Sequence, residues 1–253
     1  VIEKVQTAYA PIVKKLGGRL NISGNWKKNN IFAGTTQMFG GWNVQITGGL
    51  AKNPKLTADG MTLILCHELG HHLAGFSFAA PSNPVQGAWA ANEGQSDFFA
   101  SHVCAKKLWQ DELEINAKFR TLASEQIKTK CDSIWQDSNQ KDLCYRILVG
   151  AESPSNTLAN LKGETTKPNF DKPDLAIVNK TYDGHPATQC RMDTSLQGAL
   201  CLATFDDSII PGKKFPRRFE NIESEKEAAQ FNCTQSMGYT VGLRPACWFK
   251  ARL

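Results

Sequence analysis

The chain has 253 residues, of which 41% are hydrophobic and 21% charged, with a formal net charge of +5. That balance excludes a disordered or low-complexity polymer, and the length allows a single domain with a full hydrophobic core. No run of about 18 apolar residues occurs, so no membrane-spanning helix is expected.

In chain order, "VIEKVQTAYAPIVKKL" offers a short amphipathic helix broken by Pro11, followed by a Gly/Asn-rich turn region from Gly17 to Asn30. Two extended pieces come next, "NIFAG" and "NVQIT", separated by "TTQMFGG". In the second, Val44 and Ile46 alternate with Gln45 and Thr47, as in a half-buried strand. From Thr57 the pattern becomes helical. Met61, Leu63, Ile64, Leu65 and Leu69 give an apolar face that reaches about Ala74, and Gly75 ends it. "AAPSNPVQG" reads as a loop, Ala88 to Trp109 as a second long helix, and residues 111–150 as further charged amphipathic helices around Cys131 and Cys144.

From Glu152 to Asp183, Pro, Asn, Lys and Thr predict a long surface excursion with room for one more helix, and the remainder mixes short helices with loops. "PGKKFPRRF", Pro211 to Phe219, is bracketed by Pro and Gly and reads as a solvated basic loop, so no nucleic-acid partner is expected. The expected fold class is α+β in one domain, with residues 1–110 as an α/β part and residues 111–253 mainly helical.

Eight cysteines point to an oxidising compartment. Proximity in sequence suggests Cys131 with Cys144, Cys190 with Cys201 and Cys233 with Cys247, leaving Cys66 for Cys104. The first residue is Val1, so a removed signal peptide or pro-segment is expected upstream, and secretion or a bacterial periplasm is the expected location.

The chemistry concentrates in "LCHELGHHLAG", Leu65 to Gly75. Residues four apart on a helix are separated by about 40° around its axis, so His67 and His71 project side by side and can chelate one zinc ion. Glu68, about 100° from His67, can reach a water at the metal as general base. The motif arises by chance in roughly one chain of this length in a hundred, so a third ligand must complete it. A metzincin continuation would place Gly and His where this chain has Ala74 and Ser77, which excludes that class. A carboxylate from the second helix is the other solution. In "NEGQSD", Asn92 to Asp97, Glu93 can ligate while Asp97 accepts a hydrogen bond from the far nitrogen of His67.

"HELGH" followed by "NEGQSD" resembles the gluzincin metallopeptidases, and "HPATQCR" resembles a second signature of the branch containing HtpX-like, Oma-like and CAAX-prenyl peptidases. The upstream "NNIFAG…NVQITGGL" is similar to that branch's edge strand and the strand leading into the active-site helix. The resemblance implies a zincin-like fold, a small twisted sheet whose edge strand packs on the active-site helix, beside a second, glutamate-bearing helix. It implies one zinc ion per chain on His67, His71 and Glu93, with Glu68 as base and Asn92 and Asp97 supporting the ligands. It also implies that His185 stabilises the oxyanion and that Arg191 braces the site or helps hold that charge. His185 taken alone reads as a turn residue before Pro186; beside the upstream motif it reads as part of the site.

His72 and His102 point away from the metal by helical angle and read as packing residues, and Tyr182 and Tyr239 as core or loop residues. N-x-S/T sequons stand at Asn21, Asn179 and Asn232. The resulting expectation is a zinc-dependent peptidase, more an endopeptidase than an exopeptidase, binding an extended peptide along an edge strand within Ile31 to Thr47. The alternative is a catalytically silent zinc-binding or interaction protein on the same fold, against which the intact Glu68 speaks. In a third reading His67 and His71 only pack the core of a disulfide-stapled module.

Overall fold

A computed structural model describes residues 1–81, 88–213 and 221–253. The basic stretch from Lys214 onward and most of the loop expected after Ala79 lie outside the described residues.

The chain is α+β. Helix α1 (Ile2–Lys15) runs through Pro11, whose exposed position sacrifices only one backbone hydrogen bond. The sheet has three strands, β1 (Arg19–Asn25), β2 (Ala33–Met38) and β3 (Gly41–Thr47), in the order β1-β3-β2. β3 pairs parallel with β1 and antiparallel with β2, so β2 is an edge strand. Two expectations are corrected here. β1 lies inside the stretch read as a turn region, its Leu20 and Ile22 turned inward, and "TTQM", read as a separator, is the body of β2.

After a short helix α2 (Gly48–Ala51), α3 (Ala58–Leu73) carries the histidine motif. Thr57 caps it, its hydroxyl accepting from the Gly60 amide at 3.0 Å, and Gly75, at φ +72°, turns the chain out of it. Leu65 and Leu69 are fully buried against Val44 of β3 and Tyr9 of α1 in one core that extends from Val5 to Ile210.

The next helix starts at Glu93, not at Ala88, because Ala91 is held extended by a bridge to Phe78 and Asn92 caps the helix behind it. It runs as α4 (Glu93–Phe99), a π-helical turn (Ala100–Cys104) and α5 (Ala105–Trp109). Short helices α6 (Leu113–Ala117), α7 (Phe119–Leu122) and α8 (Glu125–Asp132) lead to α9 (Ser138–Leu161). α9 continues through Pro154 into the stretch expected to be a surface excursion. The chain becomes irregular only after it, until α10 (Thr188–Leu200) and α11 (Ile222–Ala229). Among the described residues, no helix is long and apolar enough to cross a membrane.

Four disulfides form, with no free cysteine. Cys66–Cys104 ties α3 to the π-helical turn, and Cys131–Cys144 ties α8 to α9. The other two pairs correct the reading by proximity: Cys190 joins Cys247 and Cys201 joins Cys233. Folding lays the C-terminal segment along the start of α10, so the sequence neighbours are not the neighbours in space.

His102 lies within the π-helical turn and is buried. Its Nε2 donates to the Phe231 carbonyl at 3.2 Å, which leaves Nδ1 enclosed without a partner. Burial, reinforced by Lys106, pushes this imidazole down to about 3. A base whose pKa is depressed by folding stabilises the native state fully above its unfolded value and progressively less as pH falls from about 6.5 towards 3. The expected loss from this group is about 2 kcal/mol by pH 5. Urea unfolding between pH 7.5 and 5 should give a curve flatter by that amount in His102→Gln than in the parent; parallel curves would refute the assignment.

Candidate metal centre

Helices α3 and α4 cross closely because position 70 is glycine. A Cβ there would lie 2.8 Å from the Ser96 Cα, closer than real contacts allow, so only a residue without a side chain lets the helices meet at this point. The close crossing brings His67 and His71 of α3 together with Glu93 of α4, and one ligand-capable atom of each lies within 4.8 Å of the others. His67 Nε2 is 3.2 Å from Glu93 Oε2, and His71 Nε2 is 3.7 Å from Glu93 Oε1. Ligands arranged tetrahedrally around zinc at its usual bond lengths stand roughly 3.3–3.5 Å apart.

The outward nitrogens are occupied. His67 Nδ1 donates to Asp97 Oδ1 at 2.8 Å. His71 Nδ1 donates to the Ala91 carbonyl at 2.7 Å, with the Ser96 hydroxyl 3.1 Å away. Both Nε2 atoms therefore face the Glu93 carboxylate, the orientation a metal-binding histidine needs. Glu93 Oε2 is buried with no aligned hydrogen-bond donor among the described residues. A carboxylate with one orphaned oxygen, its two oxygens facing one imidazole nitrogen each, fits a bound cation.

The electrostatics agree. Burial opposes charge on His67, but Asp97 and Glu93 outweigh it and hold the ring up at about 10, so positive charge is favoured where these groups converge. Burial and the neighbouring His67 push His71 down to about 4. Against its own burial, Glu93 is held well below the usual carboxylate range by His67, His71 and Arg191. Glu68, buried beside them, is pushed up to about 7, chiefly by burial, with His67 opposing and Glu93 adding to the rise.

Arg191 arrives on α10. Its Nε and Nη2 donate to the two oxygens of Asp97 at 2.7 and 2.8 Å, and Nη2 lies 3.9 Å from Glu93 Oε2. The guanidinium is thus committed to Asp97, which in turn orients His67. Asn92 accepts from the Gln95 amide at 2.9 Å, fixing the first turn of α4, and donates to the Tyr182 carbonyl at 3.4 Å. That second contact draws in the loop that carries His185, whose Nε2 stands 3.3 Å from Glu93 Oε1 with 70% of its side chain exposed. All eight residues singled out from the sequence thereby meet in one place. Asp174, Cys190 and Cys247 also lie close together, but the two sulfurs are joined to each other and are not available as ligands.

The cluster opens into a cleft of about 940 Å³. One wall is Ala33 to Thr36 of β2, and the opposite wall includes Pro154 and Leu158 of α9. The wall from α9 escaped the sequence reading because Pro154 signalled irregular chain there. His72 turns away from the cleft and is fully buried against the sheet.

Replacing Asp97 with Asn frees the His67 ring and removes the partner of a buried guanidinium. A zinc ion held by His67, His71 and Glu93 should bind about 10- to 100-fold more weakly in Asp97→Asn. Competition with a chromophoric chelator checks this, and equal affinity in the two proteins would refute the orienting role of Asp97.

No protein-family model, curated protein or solved structure matches this chain.

Proposed function

We propose that the chain is a zinc-dependent endopeptidase with a gluzincin-type site on a zincin-like arrangement of helices and sheet. The observation that carries the reading is the convergence of His67, His71 and Glu93 at one point of a large cleft, beside buried Glu68 and the edge strand β2. Zinc held by these three residues would supply Lewis acidity toward a water and a substrate carbonyl oxygen.

The chain's own groups do the rest. An extended peptide lies along the free edge of β2 and adds to the sheet through backbone hydrogen bonds. Glu68, with a carboxyl group held at about 7, takes a proton from the water as its oxygen attacks the scissile carbonyl carbon. It gives that proton to the departing amine nitrogen as the C–N bond breaks. His185, at the mouth of the cleft, donates toward the carbonyl oxygen as negative charge develops there. Arg191 and Asp97 hold His67 in place throughout. The four disulfides support a protein that works outside a reducing cytosol.

The test is zinc content together with cleavage of a broad peptide mixture. The parent should hold about one zinc per chain and cleave internal bonds. Glu68→Ala should keep the zinc and lose at least about a hundredfold in rate, the size of effect general-base catalysis supplies, whereas Glu93→Ala should lose zinc. Stoichiometric zinc without cleavage by the parent would replace the peptidase reading with that of a silent zinc-binding protein, and absence of zinc would reduce the histidines to packing residues.

A further inference from the structure

His72 follows the proposed ligand His71 directly, yet it projects about 100° further round the helix, onto the sheet. It is fully buried, stacked between Trp42 of β3 and Trp89 at ring separations of 5.3 and 5.2 Å. Both of its nitrogens engage the edge strand. Nε2 meets the Thr35 hydroxyl, and Nδ1 lies 3.2 Å from Gln37 Nε2. The Thr35 hydroxyl already donates its only proton to the Asn43 carbonyl at 2.9 Å, so it can only accept from His72. The ring is then a neutral Nε2–H tautomer that donates to Thr35 and accepts from the Gln37 amide. Thr35 and Gln37 are alternate residues of one strand, so a single imidazole holds two successive inward positions of β2.

We propose that His72 is a positioning residue that fixes the height of the edge strand β2 relative to the metal centre and so sets where a bound peptide's carbonyl falls. The inference rests on the peptidase reading above. Its physical basis is that His71 and His72 share one turn of α3. Any movement of the metal-bearing helix reaches the strand through the next side chain, and among the described residues no strand pairs with its far side to hold it instead. A peptide paired with β2 inherits the strand's position, and an error of about 1 Å at the reacting carbon can cost about a hundredfold in rate.

His72→Phe keeps a ring between the two tryptophans while removing both hydrogen bonds. Thr35→Val and Gln37→Leu remove the same bonds from the strand side, should the helix variant fold poorly. Three quantities are read in each: zinc per chain, hydrogen exchange of the 33–38 amides against those of α3, and KM and kcat on a peptide that the parent cleaves. The dissociation constant of that peptide for the same changes made in a Glu68→Gln background gives a readout independent of turnover.

The expected result is full zinc content, exchange at least about tenfold faster in residues 33–38 with α3 still protected, and weaker peptide binding. KM should rise about tenfold, as lost positioning of the bound substrate predicts. Folded variants with unchanged exchange and unchanged KM would overturn the proposal, leaving His72 as packing. Loss of zinc comparable to that in His71→Ala would also overturn it, by making the residue a support of the metal and not of the strand. If the parent itself cleaves nothing, the peptidase reading fails, whereas failure confined to the His72 comparison sinks only this inference.

Discussion

Buried Glu68 and Asp97 and the partly buried Glu93 place three carboxylates in one small region, and among the described residues the guanidinium beside them is that of Arg191, committed to Asp97 and close to Glu93. Burying like charges together is unfavourable unless counter-charge is brought in with them, and much of the fold around the centre can be read as the way that is done. Arg191 neutralises Asp97 through two short hydrogen bonds, and Asp97 then polarises His67. What remains is an excess of negative charge at Glu68 and Glu93; Glu93 adds to the burial that chiefly raises Glu68, and joins Asp97 in the pull toward positive charge at His67. A divalent cation between His67, His71 and Glu93 would remove that excess. This is why the cluster fits a metal better than it fits a packed core: a core would gain nothing from an orphaned carboxylate oxygen.

The helical framework serves this convergence. Glycine at position 70 permits the close crossing, and the disulfide from Cys66 to Cys104 holds α3 against the far end of the glutamate-bearing rod. The link leaves α3 from the residue next to His67, so the turn that carries His67 and His71 is anchored from both its flanks: by the disulfide on one side, by the contact of His72 with β2 on the other. Anchoring from both flanks favours a preorganised centre.

The sequence made the centre legible because its parts are local. His67 and His71 stand four apart on one helix and Glu93 and Asp97 four apart on another, so helical periodicity alone puts each pair on one face. The sheet was harder to read. β2 is polar and glycine-bearing, as edge strands often are, and its inward Thr35 and Gln37 meet a histidine instead of an apolar core, so no hydrophobic alternation marks it. β1 hides among Gly and Asn for a similar reason, with only Leu20 and Ile22 turned inward. Pro154 sits inside α9, where tertiary packing overrides its preference for breaking helices. The wrong pairing of Cys190, Cys201, Cys233 and Cys247 has another cause: disulfide partners are chosen by the fold, and sequence proximity carries little of that information.

The distal contributions to the site show what that disulfide framework is for. Arg191 and His185 come from far along the chain, on a segment with little regular structure of its own before α10. The segment is held by backbone bonds from Val178 to Ala246 and from Tyr182 to Trp248, and by the bond of Cys190 to Cys247. Asp183 adds a further tie, accepting from the Ala80 amide at 2.8 Å, and Asn92 reaches the Tyr182 carbonyl from the first turn of α4. The C-terminal strip therefore acts as a brace: it presses the 178–190 segment onto the mouth of the cleft, and the covalent link next to Arg191 fixes the end of the brace where the guanidinium must meet Asp97. Local helical spacing gathers the candidate ligands, and covalent cross-links deliver the groups that spacing cannot reach.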